Sequence, residues 1–238
     1  PEIVTSGEQP LVRDLKRRLA EMRGGDDDFA GHVGTLTADE IATLRTAFFE
    51  AAEDGAGVAL DGKVFVSKQP LDLIDVALIN AVFPDGRLIV ALRDPRDVCL
   101  SCFQQAFEMN AANVHFLDIE STVSFYAQVM DLWLHVRGAL TMPVLEIRYE
   151  DTVSDLERAA RRMLEHLDVP WDPCVLEFHE DAAQRFVSTP SYSAVTEPVN
   201  RRAVGRWRHY AKHVADCYGA LDRFVAAFGY APEPDESA

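Results

Sequence analysis

The chain has 238 residues, 48% of them hydrophobic and 26% charged, enough apolar matter for a large core and too much for an intrinsically disordered polymer. A formal net charge of −16 argues against nonspecific binding to nucleic acid or to an anionic membrane, and no stretch reaches the roughly 18 uncharged apolar residues of a bilayer span. Four cysteines are too few for a disulfide scaffold and fit a reducing, cytoplasmic compartment. No signal-like segment follows Pro1, and no internal repeat is visible.

Leu11, Leu15 and Leu19 recur every four residues, which predicts an amphipathic helix over 8–22. Gly24, Gly25 and the acidic run 26–28 mark an exposed loop. Thr37 and Glu40 spell a capping box, opening a helix to about Glu53 that ends at Gly55 and Gly57. Residues 64–66 read as a short strand, 71–83 as a helix and 88–92 as a continuous apolar strand. Pro95 suits a first helical turn, with the helix running to about Phe107. A helix over 120–139, a strand over 144–148, a helix over 155–167 and a last helix around 215–228 follow. Strands alternating with helices imply βαβ units and a parallel sheet. The reading is one domain over 1–230 with a disordered tail over 231–238.

Three segments carry candidate chemistry. In the first, a buried strand ends at Leu92, Arg93 stands on the turn, a helix begins at Pro95, and Ser101 lies two turns on. Ligands in open α/β sheets bind beyond the carboxyl ends of strands, and an arginine fork there suits a phosphate. An ion pair of Arg93 with Asp97, bracing the turn, is the other reading. The second segment is Ser67-Lys68-Gln69-Pro70, where Lys68 either neutralises charge on a transferring group or is a solvated side chain. In the third, no acidic residue occurs from 198 to 215, while Arg201, Arg202, Arg206, Arg208 and Lys212 gather beside Gly205 and Trp207. Arginines, a glycine and an indole suit a phosphate plus an aromatic base; a solvated helix face is the alternative.

Other patterns are weaker. Residues 57–64 almost spell a phosphate-binding P-loop, but Val64 replaces the hydroxyl that would meet Mg²⁺ and a strand follows. Cys99 and Cys102 have redox spacing within a helix that favours buried thiols. His209 and His213 share a helix face without an evident third metal ligand. Trp133 and Trp171 read as core.

Together the segments resemble the sulfotransferase family, in particular its protein-tyrosine and bacterial TPR-linked branches. Residues 93–101 are similar to the family's 3′-phosphate segment, 67–70 to its lysine element, 147–151 to its fourth strand and following turn, and 194–207 to its C-terminal cofactor loop. Ser6-Gly7-Glu8 looks like the segment bearing the acceptor's base. The resemblance implies an α/β, P-loop NTPase-like three-layer fold with a central parallel sheet of four to five strands. It implies sulfuryl transfer from PAPS (3′-phosphoadenylyl sulfate) to an acceptor hydroxyl on a peptide tyrosine or a small molecule, with adenosine 3′,5′-bisphosphate as product and no metal. Arg93 and Ser101 would hold the 3′-phosphate, with Tyr149, Arg201, Arg202, Gly205, Arg206 and Trp207 completing the nucleotide site. Lys68 would stabilise the sulfuryl and its leaving phosphate, Glu8 would take the acceptor's proton, and Ser191 would lie near the transferring group. The family's first strand and its Pro-Arg-Ser-Gly-Thr-Thr loop, which cradles the 5′-phosphosulfate, are expected ahead of Pro1. Ser67 stands where the family has an acidic or amide residue. A homodimer and an upstream TPR region are compatible partners; nucleic acid and membrane are not expected. The leading alternative is a non-catalytic domain that binds adenosine 3′,5′-bisphosphate or a partner, and a weaker one is a nucleotide kinase using the 57–63 loop.

Overall fold

The residue before a proline is pushed out of helical conformation, and this sets where the first helix begins. In the computed structural model, which describes residues 3–25, 28–177 and 199–232, α1 (Leu11–Met22) starts just after Pro10 rather than at residue 8. The chain ahead of it forms β1 (Ile3–Thr5), a strand too short to show a period. The described residues divide into two compact units, Pro1–Leu88 with Leu132–Val144, and Ile89–Asp131 with Leu145–Ala238.

In the first unit β1 runs parallel to β2 (Val64–Val66), with Ile3 beside Val64, Val4 beside Phe65 and Thr5 beside Val66. Parallel neighbours need a crossover, here α1, α2 (Phe29–Gly34) and α3 (Ala38–Ala56). Leu11, Leu15 and Leu19 of α1 join Leu44, Phe48 and Ala52 of α3 in one buried cluster. Both sets repeat at four residues, so each helix turns one stripe to the core, each large side chain contributing roughly 1.5–3 kcal/mol. The expected capping box forms: the Thr37 amide donates to Glu40 Oε2 at 2.8 Å and the Glu40 amide to Thr37 Oγ1 at 3.3 Å. Gly57, at φ +67°, closes α3 at the second of the two glycines expected to end it. The helix expected over 71–83 is divided. A 3₁₀ turn, Asp72–Asp75, precedes α4 (Val76–Val82), because the amides of Asp72 and Ile74 bond three residues back, to Gln69 and Leu71.

The other pair of strands is β3 (Leu88–Leu92) and β4 (Val144–Arg148). Asp94 caps α5 (Pro95–Gln104), its Oδ1 accepting from the Arg96 amide at 3.0 Å with Pro95 in the first turn. Then come α6 (Ile119–Val136), α7 (Tyr149–Ser154) and α8 (Leu156–Leu167), the last capped by Asp155 at 3.0 Å from the Arg158 amide. The helix expected around 215–228 is broken at Gly219: α9 (Ala211–Tyr218), a 3₁₀ turn over Gly219–Leu221 and α10 (Asp222–Ala227) replace it. Trp133 is fully buried, whereas Trp171, expected in the core, is half-buried with the Arg161 guanidinium 3.9 Å above its ring. Among the described residues no helix is long and apolar enough to cross a membrane.

Burial, with the neighbouring Asp75 charge adding to it, pushes the Asp72 carboxyl up to about 6. A carboxyl raised on folding contributes stability below its ordinary range, and that contribution is lost as pH rises through about 6. Asp72→Asn is therefore expected to stabilise the chain by on the order of 1 kcal/mol at about pH 8, the shift being discounted for partial solvent exposure, and by nothing below about pH 4. Urea unfolding at the two pH values checks this, and an equal effect at both contradicts it.

Candidate functional site

The register of β1 against β2 decides what lies at their carboxyl ends. Thr5 sits beside Val66, so the segments that follow, Ser6-Gly7-Glu8 and Ser67-Lys68-Gln69, emerge side by side although 60 residues apart. Gly7, at φ +75°, turns the chain back with its amide 3.2 Å from Thr5 Oγ1. Lys68 Nζ then donates to Glu8 Oε1, and Gln69 Nε2 donates to the Glu8 carbonyl. The two charged side chains are 62% and 40% exposed. An ion pair so open to water is worth about 0–1 kcal/mol. It gives the unit little stability, and a substrate could separate the pair at small cost.

The second unit builds a different cluster. Arg93 leaves the end of β3, its guanidinium 5.0 Å from the Tyr149 ring at the start of α7, and Nη2 donates to the Ala203 carbonyl at 2.6 Å. Among the described residues its Nε is buried without a hydrogen-bond partner. Asp97, in the first turn of α5, is 1% exposed. Its carboxylate accepts from the amides of Gly205 at 2.6 Å and Trp207 at 2.9 Å. Burial pushes this carboxyl up, while those two amides and the Arg93 charge pull it down. Arg93 and Asp97 thus do not close on each other as an ion pair. The free amides at the head of the 3₁₀ turn Arg206–Tyr210 take the carboxylate instead, and both side chains grip one segment, 203–207.

Within that segment Gly205 adopts φ +71°, a conformation strained for any other residue, with the mobile end of Arg208 beside it. Trp207 was expected to offer its face to a base. It is 2% exposed, lying 4.0 Å from the Arg96 guanidinium and 5.0 Å from that of Arg208, so it fastens the segment and leaves no free stacking face. Arg206 reaches back to α5, donating to Gln104 Oε1 at 3.1 Å. Arg201 and Arg202 are exposed on the turn before Ala203, and Ser101 is half-buried on α5. Ser191 and residues 194–198 of the C-terminal loop lie outside the described residues.

The remaining patterns resolve simply. Lys63 folds onto its own turn, donating to the Ala59 carbonyl at 2.8 Å, so the 57–63 loop caps α3 and feeds β2. All four cysteines are free thiols, and burial raises Cys99 and Cys102 away from thiolate chemistry. His209 and His213 are exposed, and among the described residues no three His, Cys, Asp or Glu side chains gather as a metal-binding group.

Comparison with known proteins meets this geometry directly. The model of the sulfotransferase family matches residues 8–173, from Glu8 through Lys68, Arg93, Ser101 and Tyr149. The chain belongs to the sulfotransferase family. An uncharacterized protein of Aquifex aeolicus (strain VF5) is 28% identical over 153 residues, 63% of this chain and 19% of that protein. A protein-tyrosine sulfotransferase of Drosophila melanogaster is 26% identical over 155 residues, 59% of this chain and 29% of that protein. Protein-tyrosine sulfotransferase A of Caenorhabditis elegans is 23% identical over 146 residues, 59% and 38% respectively. The chain therefore spans between a fifth and two fifths of these relatives. Among solved structures, the sulfotransferase domain from the curacin biosynthetic pathway superposes with a TM-score of 0.55 at 14% identity, covering 91% of this chain and 78% of that one. At that identity the likeness is one of fold, the mixed α/β, P-loop-like fold of such domains.

The Asp97 carboxylate answers two buried amides, and an asparagine can answer only one of them. Asp97→Asn is expected to cost about 2 kcal/mol by leaving an N–H facing an N–H₂. Denaturant unfolding measures it, and unchanged stability contradicts the assignment.

Proposed function

We propose that the chain transfers a sulfuryl group from PAPS to an acceptor hydroxyl on a peptide or a small molecule. The observation that carries this reading is Lys68 donating to Glu8 across the ends of two paired strands. Sulfuryl transfer needs a base for the acceptor's proton and a cation for the charge that leaves. The acceptor oxygen bonds to sulfur as the bond from sulfur to the bridging phosphate oxygen breaks. The hydroxyl proton passes to the Glu8 carboxylate, and Lys68 Nζ neutralises the negative charge gathering on the bridging oxygen. Ser191 completes this group by resemblance.

Arg93 and Ser101 hold the 3′-phosphate. One guanidinium nitrogen of Arg93 is committed to Ala203, while Nε is buried with no partner among the described residues. A buried donor left unmade costs about 1–3 kcal/mol, which an anion would offset. Tyr149, Arg201, Arg202, Gly205 and Arg206 support the nucleotide, and Trp207 holds their segment in place. Four free thiols agree with work in a reducing cytoplasm.

Two measurements on the complete gene product test the reading. Calorimetry is expected to show binding of adenosine 3′,5′-bisphosphate in preference to ATP, weakened by about 2–4 kcal/mol in Arg93→Ala; preference for ATP contradicts it. Initial rates of sulfuryl transfer from PAPS are expected to fall roughly 10²–10⁴-fold in Glu8→Gln, with nucleotide affinity kept. Full turnover in that variant removes Glu8 as the base. Bisphosphate binding by a wild-type protein that transfers nothing favours the non-catalytic alternative.

A further inference from the structure

Tyr230 lies beyond the family match and beyond every motif named above, yet its hydroxyl reaches the Arg93 turn in two steps. It donates to Glu150 Oε2 at 2.8 Å, and Glu150 Oε1 accepts from the Asp94 amide at 3.0 Å. That amide belongs to the peptide bond leaving Arg93, so fixing it fixes the backbone torsion from which the Arg93 side chain is launched. Glu150 also directly follows Tyr149, the residue whose ring lies against the Arg93 guanidinium. One carboxylate therefore ties the turn after β3 to the turn after β4.

We infer that Tyr230 is a positioning residue for the nucleotide, orienting Glu150 so that Arg93 is held ready for the 3′-phosphate; this rests on the nucleotide reading given above. A carboxylate bonded through one oxygen can still rotate, whereas bonds at both oxygens fix its plane. The segment around Tyr230 is itself tied down. Arg148 Nη1 donates to the Gly229 carbonyl at 2.9 Å, with its guanidinium 4.1 Å from the Tyr230 ring, and Arg96 Nη2 donates to the Ala231 carbonyl at 2.9 Å. Tyr230 is buried, and burial together with the Glu150 carboxylate pushes its hydroxyl far up, so it remains a proton donor at any physiological pH.

Tyr218 supplies a matched comparison. It is equally buried, and its hydroxyl donates at 2.9 Å to the Arg96 carbonyl rather than to Glu150. Calorimetry with adenosine 3′,5′-bisphosphate on the complete chain compares Tyr230→Phe with Tyr218→Phe. Both variants keep their rings, and thermal melting shows how much stability each hydroxyl contributed. Tyr230→Phe is expected to weaken binding about 3–10-fold, the scale of one charge-assisted hydrogen bond, with Tyr218→Phe unchanged. In an Arg93→Ala background the Tyr230 substitution is expected to do nothing further. Equal affinity in wild type and Tyr230→Phe, equal losses in the two tyrosine variants, or an undiminished loss in the Arg93→Ala background overturns the inference. A wild-type chain that binds no bisphosphate overturns the nucleotide reading itself, which is a separate result.

Discussion

A carboxylate withdrawn from water must replace its hydration with protein donors or give up its charge. Asp97 replaces it with two backbone amides from the far end of the chain, those of Gly205 and Trp207. The second unit is organised around that exchange. The bonds bring a segment 108 and 110 residues away onto α5, Arg93 secures it again at Ala203, and the indole of Trp207 is sealed beneath two guanidinium groups. Small anions favour such amide pairs at the head of a turn. Here the Asp97 side chain already fills that place, so in the proposed nucleotide site the phosphate is left to guanidinium and hydroxyl groups rather than to those amides.

The first unit works by another rule. Its charged pair, Glu8 and Lys68, stabilises almost nothing because water reaches both partners. What holds the pair together is the parallel register of two three-residue strands, themselves kept in place by the leucine and phenylalanine core of α1 and α3. Stability comes from the packed stripe, and the charged pair proposed above for catalysis stands on the exposed rim. Loops positioned by a rigid scaffold are where such chemistry is generally found.

Much of this was legible in the sequence because it is local. Four-residue leucine spacing, the Thr37 and Glu40 box, and Pro95 after an apolar strand each encode their element within one or two turns. Arg93 and Lys68 stood out because each follows a predicted strand; Glu8 was singled out only by resemblance, since β1 was not predicted, and its pairing with Lys68 became visible only with the register. The failures are non-local or too short to carry a period. β1 and α2 are three and six residues long. Asp97 was open to reading as a partner of Arg93, its neighbour four residues away, because nothing in sequence announces two amides more than a hundred residues on. Trp207 carries the composition of a stacking platform, but composition does not say which face is covered. Glu150 and Tyr230 are separated by 80 residues, and a tyrosine near a chain end gives no sign of its partner; the clue was Glu150 itself, an acidic residue directly after a strand-ending arginine and tyrosine.

The most direct test of the account is a crystal structure of the complete protein with adenosine 3′,5′-bisphosphate. The 3′-phosphate is expected within hydrogen-bond distance, about 3 Å, of the Arg93 guanidinium and the Ser101 hydroxyl, with Asp97 still bound to the amides of Gly205 and Trp207. A nucleotide seated away from Arg93, or one whose phosphate has displaced Asp97 from those amides, would contradict it.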